Sequence, residues 1–149
     1  MAMVRGVAAS SLGKLGLKDN RPLLQGLTRD PSLQVRASAV ESLLRLGDSS
    51  VLLLAADLAR NPDPSIRSSA AQALSAASDN EALSLLQALL QDQQPLPRLM
   101  AAKALGRISG PVVPILLKGL QDTDEAVRIA AAGSLLQQAV RTARTPRRP

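Results

Sequence analysis

The chain has 149 residues and a net charge of +6, and it contains no Cys, His, Phe, Tyr or Trp. These absences exclude disulfide bonds, zinc sites of the usual Cys/His kind, and catalysis by a histidine base or a cysteine nucleophile. The 28 Leu and 24 Ala residues favour helices. Strand-forming residues are scarce, so the composition predicts an all-α protein.

The N-terminal segment has no features of a signal peptide, because Lys14 and Lys18 interrupt its apolar residues. The longest apolar run in the chain, 51–56, is far too short to span a membrane. We therefore expect a cytoplasmic protein without a membrane partner.

A repeat of 30 or 31 residues runs along the chain and is marked by five arginines: Arg5, Arg36, Arg67, Arg98 and Arg128. Ala follows each of these arginines after three residues, and Leu follows after seven. Further Leu columns lie at +18 and +22 in the first four copies. Regular self-similarity of this period is typical of helical solenoids, in which each unit buries its apolar face only by stacking on its neighbours.

Each copy is predicted to form two helices. Positions −1, +3, +7 and +10 from the arginine share one helical face, and positions +15, +18, +19 and +22 share another. In the second copy, Gly47 is suited to a left-handed helix C-cap, and Asp48 or Ser49 to the next N-cap. The predicted domain is 1–140, with copies at 4–29, 30–60, 61–91, 92–121 and, incompletely, 122–140.

The two ends depart from the pattern. No Asp-Pro turn precedes the first copy, and the last copy has a first helix, predicted at 125–140, without a second one. Such uncapped repeats leave three alternatives: self-association through the ends, a chain that is a fragment of a longer repeat array, or ends that fray. The segment 141–149 carries four of the arginines and is expected to be a disordered basic tail.

The stretch from Asp30 to Asp48, which reads D-P-x-x-x-V-R-x-x-A-x-x-x-L-x-x-L-G-D, resembles HEAT repeats, in particular the short bacterial type named from phycobiliprotein lyases. The resemblance implies an α-α superhelix, a right-handed solenoid of about four and a half helical hairpins. It also implies a hydrogen-bonded ladder between an Asp of each inter-repeat turn and the Arg six residues later. The matching residues are Asp30/Arg36, Asn61/Arg67, Asp92/Arg98 and Asp122/Arg128.

No catalytic constellation or metal site is expected, and no cofactor. The acidic residues that do cluster occupy positions suited to helix caps. HEAT-type metal-dependent hydroxylases use His, and this chain has none. The lack of aromatic residues also disfavours a tetrapyrrole pocket and a groove that stacks nucleobases.

The resemblance implies that the second helices line the concave surface, where another protein, as a peptide or helix, would bind. The outward positions there are about +17, +20, +21 and +24. The candidate contact residues on this stripe are Gln25, Arg29, Leu53, Asp57, Arg60, Gln87, Gln91, Ile115 and Lys118. The leading hypothesis is therefore a non-catalytic scaffold for protein–protein interaction.

Two alternatives stay open. The arginine-rich tail, together with a basic column at +9 on the convex face (Lys14, Arg45 and Arg107), is a possible contact for nucleic acid, although the folded part carries little net charge. The other alternative is an accessory subunit of an enzyme similar to bilin lyases.

Overall fold

The computed structural model describes residues 1–77 and 80–144. The helices of these residues are, in chain order, α1 (Ala2–Leu15), α2 (Arg21–Leu27), α3 (Leu33–Arg45), α4 (Leu52–Ala59), α5 (Pro64–Leu74), α6 (Asn80–Leu89), α7 (Pro95–Leu105), α8 (Val113–Gly119) and α9 (Glu125–Arg144). Short 3-10 turns precede α2 and α4. No described residue lies in a strand, so the all-α prediction is confirmed.

The helices form two layers. The odd-numbered first helices pack directly on one another from α1 to α9, and each even-numbered second helix packs against the first helices of its own and neighbouring copies. Each first helix begins three residues before its repeat arginine, including α7, which begins at Pro95. The prolines before Arg98 therefore do not shift that helix, because a proline in the first turn lacks only an N–H that has no intrahelical acceptor.

The turns within hairpins follow the predicted chemistry. Gly47 ends α3 with a φ of 78°, and Gly16 ends α1 with a φ of 70°. Both values lie in the left-handed region that glycine enters without steric cost. Asp48 then accepts a hydrogen bond from the backbone N–H of Ser50 and begins the turn into α4.

The core consists of thin layers of Ala and Leu. Ala39, Ala70, Ala101 and Ala131 of the +3 column are fully buried. Ala8 of the first copy is exposed, contrary to that column, because α1 turns Ala9 and Gly13 towards α3 instead.

Close approach of first helices depends on small residues. The hydroxyl of Ser42 on α3 donates to the carbonyl of Ala9, and Ser134 on α9 donates to Ala102 in the same way. Opposite these serines lie Gly13 and Gly106. A Cβ on Gly106 would lie 2.8 Å from the Cβ of Ser134, so a larger side chain would force α7 and α9 apart.

The second helices bury most of the predicted face but not the residues at +18 in the first two copies. Leu24, Ala55, Leu86 and Leu116 lie six residues before the Asp or Asn of the next turn and are fully buried, and the first three occupy the predicted +19 position. The +18 column was predicted to be buried, but Leu23 is 58% exposed and Leu54 is 39% exposed. The second helices therefore carry more exposed apolar surface than the sequence pattern predicts.

The C-terminal helix is longer than predicted. The sequence places the end of the folded domain at residue 140, but α9 continues to Arg144. Arg141 contributes to this extension, because its guanidinium donates a hydrogen bond of 3.0 Å to the carbonyl of Arg107. The expected disordered tail is therefore wrong for 141–144, whereas 145–149 lie outside the described residues.

Candidate functional site

A ladder of arginines and carboxylates connects the inter-repeat turns. Arg67 donates from Nε and Nη2 to the two carboxylate oxygens of Asp92, at 2.6 and 2.8 Å. Its Nη1 donates to the carbonyl oxygens of Asn61 and Pro62. The guanidinium of Arg67 thus joins the turn before α5 to the turn after α6. This fork geometry matches what a planar guanidinium offers to a carboxylate.

The same arrangement recurs at two other rungs. Arg98 donates to both carboxylate oxygens of Asp122 at 2.9 Å, and Arg5 donates to both oxygens of Asp30 at 2.6 and 2.9 Å. The ion pairs therefore join an arginine to the aspartate 24 or 25 residues later. Within the predicted pairs, six residues apart, the arginine contacts only the backbone carbonyl of the turn residue, as Arg128 does with Asp122.

Each ladder carboxylate also shapes its own turn. One oxygen of Asp30, Asp92 and Asp122 accepts the backbone N–H two residues later, at 2.8 to 2.9 Å. The hydrogen bonds from Arg5 lower the pKa of Asp30 to about 2, and burial opposes this shift. The hydrogen bonds from Arg67 and Arg98 likewise lower the pKa values of Asp92 and Asp122. Charge-assisted hydrogen bonds thus keep these carboxylates ionised.

The ladder lacks one rung. At the turn after α4 the chain has Asn61, whose side-chain oxygen accepts the N–H of Asp63 as the aspartates do in their turns. Arg36 is the arginine that would face this turn, but it makes no ion pair with a described residue. Its Nε donates to the carbonyl of Asp30, so neither Nη group has a described hydrogen-bond acceptor. Asparagine preserves the turn but removes the carboxylate of the rung.

The predicted contact stripe is exposed at every residue except Ile115. Leu53 is 73% exposed, and the other exposed members are Gln25, Arg29, Asp57, Arg60, Gln87, Gln91 and Lys118. Ile115 was placed on the stripe, which is wrong, because it is half-buried and packs against the core. The fourth copy is one residue shorter between α7 and α8, so counting forward from Arg98 misplaces every residue of α8 by one. Counting back from Asp122 instead puts Leu117 on the stripe, where it is 50% exposed.

Two cavities lie beside the stripe. The larger, of about 620 Å³, lies between the C-terminal ends of α6 and α8 and is lined by stripe residues Gln91 and Lys118 together with rung residues Asp92, Arg98 and Asp122. The smaller, of about 140 Å³, lies at the missing rung and is lined by Arg36, Asn61 and Asp57, with apolar walls from Leu33, Val40, Leu54 and Leu58. Polar groups thus converge beside apolar walls, as is usual in binding clefts.

The repeats match a known family. The family model described as HEAT repeats matches residues 20–97 and 84–146. The chain belongs to the HEAT-repeat family. Among solved structures, this HEAT solenoid is similar to a chain in the complex of CpcE and CpcF of phycocyanin lyase from Nostoc sp. PCC7120. The two chains are 25% identical, the match covers 89% of this chain and 87% of that one, and the TM-score is 0.66. No curated protein matches the HEAT chain.

Some residues of the HEAT solenoid escaped the sequence prediction. Arg5 was not assigned to the ladder because the expected partner lay six residues before each arginine; a search for Asp 24 or 25 residues after it would have found the rung. Leu23 and Leu117 fall on the predicted buried face of their helices, at +18 and +19, yet both are at least half exposed on the second-helix layer.

The basic column of the HEAT repeats is exposed at Lys14, Arg45 and Arg107. Arg45 pairs with Glu41 one turn earlier, at 2.9 Å. Lys14 and Arg45 lie in the last turns of α1 and α3, where a cation interacts favourably with the helix dipole. None of the described helices is both long and apolar enough to cross a membrane.

Proposed function

We propose that the chain is a non-catalytic scaffold that binds a protein partner along its second-helix stripe. The observation that carries this proposal is the cavity of about 620 Å³ between α6 and α8, where Gln91 and Lys118 offer hydrogen-bond donors next to the rung of Arg98 and Asp122. Exposed Leu23, Leu53 and Leu117 on the same layer supply apolar contact. An extended or helical peptide needs both kinds of contact, polar groups for register and apolar groups for affinity.

The partner fits best as a component of an enzyme assembly. The similar solved structure is a complex of two proteins of a phycocyanin lyase. The present chain has no His or Cys with which to perform nucleophilic or near-neutral base chemistry itself. A role in holding or positioning a second protein is therefore more consistent with its residues than a role in the reaction.

Site-specific photo-cross-linking tests this proposal. A photoreactive amino acid replaces Leu53 or Gln87 on the stripe and, as matched controls, Lys14 or Arg107 in the basic column, all four being exposed. We expect one protein from the source cell's lysate to cross-link from the stripe positions alone, with or without nuclease. Cross-linking from the basic column instead, or loss of the product after nuclease treatment, would support the nucleic-acid alternative and overturn the scaffold.

A further inference from the structure

We infer that the missing rung is a binding site for an acidic side chain, Asp or Glu, of the protein partner. The inference rests on the proposed function and specifies the chemistry of the ligand. At the three complete rungs, an arginine fork holds a carboxylate supplied by the chain itself, at 2.6 to 2.9 Å. At the missing rung, Arg36 is present but the carboxylate is not, because Asn61 occupies the position of the aspartate.

The open fork faces a cavity of a suitable size. The space of about 140 Å³ between α3 and α4 has Arg36 and Asn61 in its wall. It has the volume of a few water molecules, which is enough for a carboxylate on a short methylene stem. The remaining walls include Leu33, Val40 and Leu58, which would contact that stem. Both Nη groups of Arg36 are without a described acceptor, so they are available to a ligand carboxylate.

The charge around the cavity favours an anion. Arg29 and Arg60 are exposed, adjoin lining residues Thr28 and Asn61 in sequence, and form no ion pair within the described chain. With Arg36 they give three positive charges, against the lining carboxylate of Asp57 and the carboxylate of Asp30, whose charge acts on Arg36 but is paired with Arg5. The negative charge of Asp57 repels a bound carboxylate, so removing that charge should strengthen the binding of an anionic ligand.

The experiment is an NMR titration of the full chain with N-acetyl-glutamate methylamide, with the neutral glutamine analogue as the control ligand. We expect saturable shifts at the Nε–H of Arg36 and the methyl groups of Val40 and Leu54, and affinity at least tenfold lower for the glutamine analogue. Equal binding of the two ligands would overturn the inference.

Four variants complete the test. Asn61→Asp supplies the carboxylate from the chain and should abolish binding, as should Arg36→Gln. Arg107→Gln, a matched loss of positive charge at an exposed residue of the basic column, should change the dissociation constant by no more than about twofold, and Asp57→Asn should tighten binding at least twofold. Retained binding in Asn61→Asp, or weaker binding in Asp57→Asn, would contradict a carboxylate at this rung.

The scaffold and this site fail in different ways. If a partner cross-links from Leu53 and its capture is unchanged by Asn61→Asp, the scaffold stands and the acidic side chain does not occupy the rung. If the glutamate analogue binds at Arg36 but no protein cross-links from the stripe, the site stands as a carboxylate site and the scaffold fails.

Discussion

Arg67 and Asp92 lie 25 residues apart in sequence and form a bidentate ion pair in which both side chains are at least 85% buried. Arg67 also holds two carbonyl oxygens of the preceding turn. One side chain thus joins consecutive inter-repeat turns, and it does so where backbone carbonyls at the helix ends need donors. Repeat-to-repeat geometry in this solenoid is therefore specified by polar contacts as well as by the Ala and Leu layers.

Replacement of Asp92 by Asn should show what one rung contributes. The substitution keeps the side-chain oxygen that accepts the N–H of Gln94, but it removes the charge that pairs with Arg67. We expect a loss of about 2 kcal/mol in the free energy of unfolding, since the guanidinium stays partly buried without its anion. Urea titration, with unfolding monitored by circular dichroism, measures this loss of free energy. The control is Glu41→Gln, which breaks the pair with Arg45, whose side chain is 42% exposed, and should cost less than about 0.5 kcal/mol.

The converse change, Asn61→Asp, should complete the ladder and stabilise the protein. Asn61 already makes the turn hydrogen bond to Asp63, so an aspartate fits without a change of backbone and adds an acceptor for Arg36. We expect a gain of about 1 kcal/mol and a Tm higher by about 3 °C, measured by differential scanning calorimetry. In Asn61→Asp/Arg36→Gln the gain should disappear; a gain that persists without Arg36 would show that the effect does not come from the rung.

Acid should weaken the ladder in a defined window. The pKa of Asp30 is lowered to about 2 from an ordinary 3.8, so the unfolded chain binds this proton more readily than the folded one. The stabilisation by this carboxylate is therefore complete above about pH 5 and is lost as the pH falls from about 4 through 2. Unfolding curves of the native chain and Asp30→Asn should differ at pH 7 and converge as the pH falls below about 2. A difference that is constant with pH would rule out the ion pair as its source.

The sequence predicted the repeat well because the signal recurs. Arg5, Arg36 and the arginines after them mark the first helices, and Leu and Ala columns need only a periodic count to reveal a buried face. The helix caps were equally easy to predict, because Gly47 acts through its own backbone conformation and Asp48 through its own side chain. Features of this kind depend on neighbours within a few residues in the chain.

Contacts between copies were harder to predict. The rungs join residues 24 or 25 apart, and nothing in one turn shows which arginine will reach it. The error at Ile115 has another physical cause: a deletion in a loop changes the register after it, and a count from Arg98 crosses that loop, whereas a count from Asp122 does not. The exposure of Leu23 depends on the rotation of α2 about its own axis. This rotation is set by packing against neighbouring helices, and sequence periodicity does not determine it.

Close packing between first helices gives a final prediction, on Gly106. Its replacement by Ala places a Cβ 2.5 Å from the hydroxyl oxygen of Ser134 and 2.8 Å from the Cβ of Ser134, so α7 and α9 must separate. We expect a loss of about 1 to 3 kcal/mol on overpacking. Gly133, inside α9, is the matched control, because a Cβ there meets no described atom within 4 Å.

Gly133→Ala should stabilise the protein by about 0.5 to 1 kcal/mol, because alanine loses less backbone entropy in a helix. The two substitutions should therefore shift the Tm in opposite directions, down for Gly106→Ala and up for Gly133→Ala. Thermal unfolding of both variants measures these shifts. If Gly106→Ala were also stabilising, α7 and α9 would have to tolerate a wider spacing, and the buried hydrogen bond from Ser134 to Ala102 would not hold the two helices together. In that case Ser134→Ala in the Gly106→Ala background should cost nothing further, whereas in the native chain its loss leaves a cavity and should destabilise by about 1 kcal/mol.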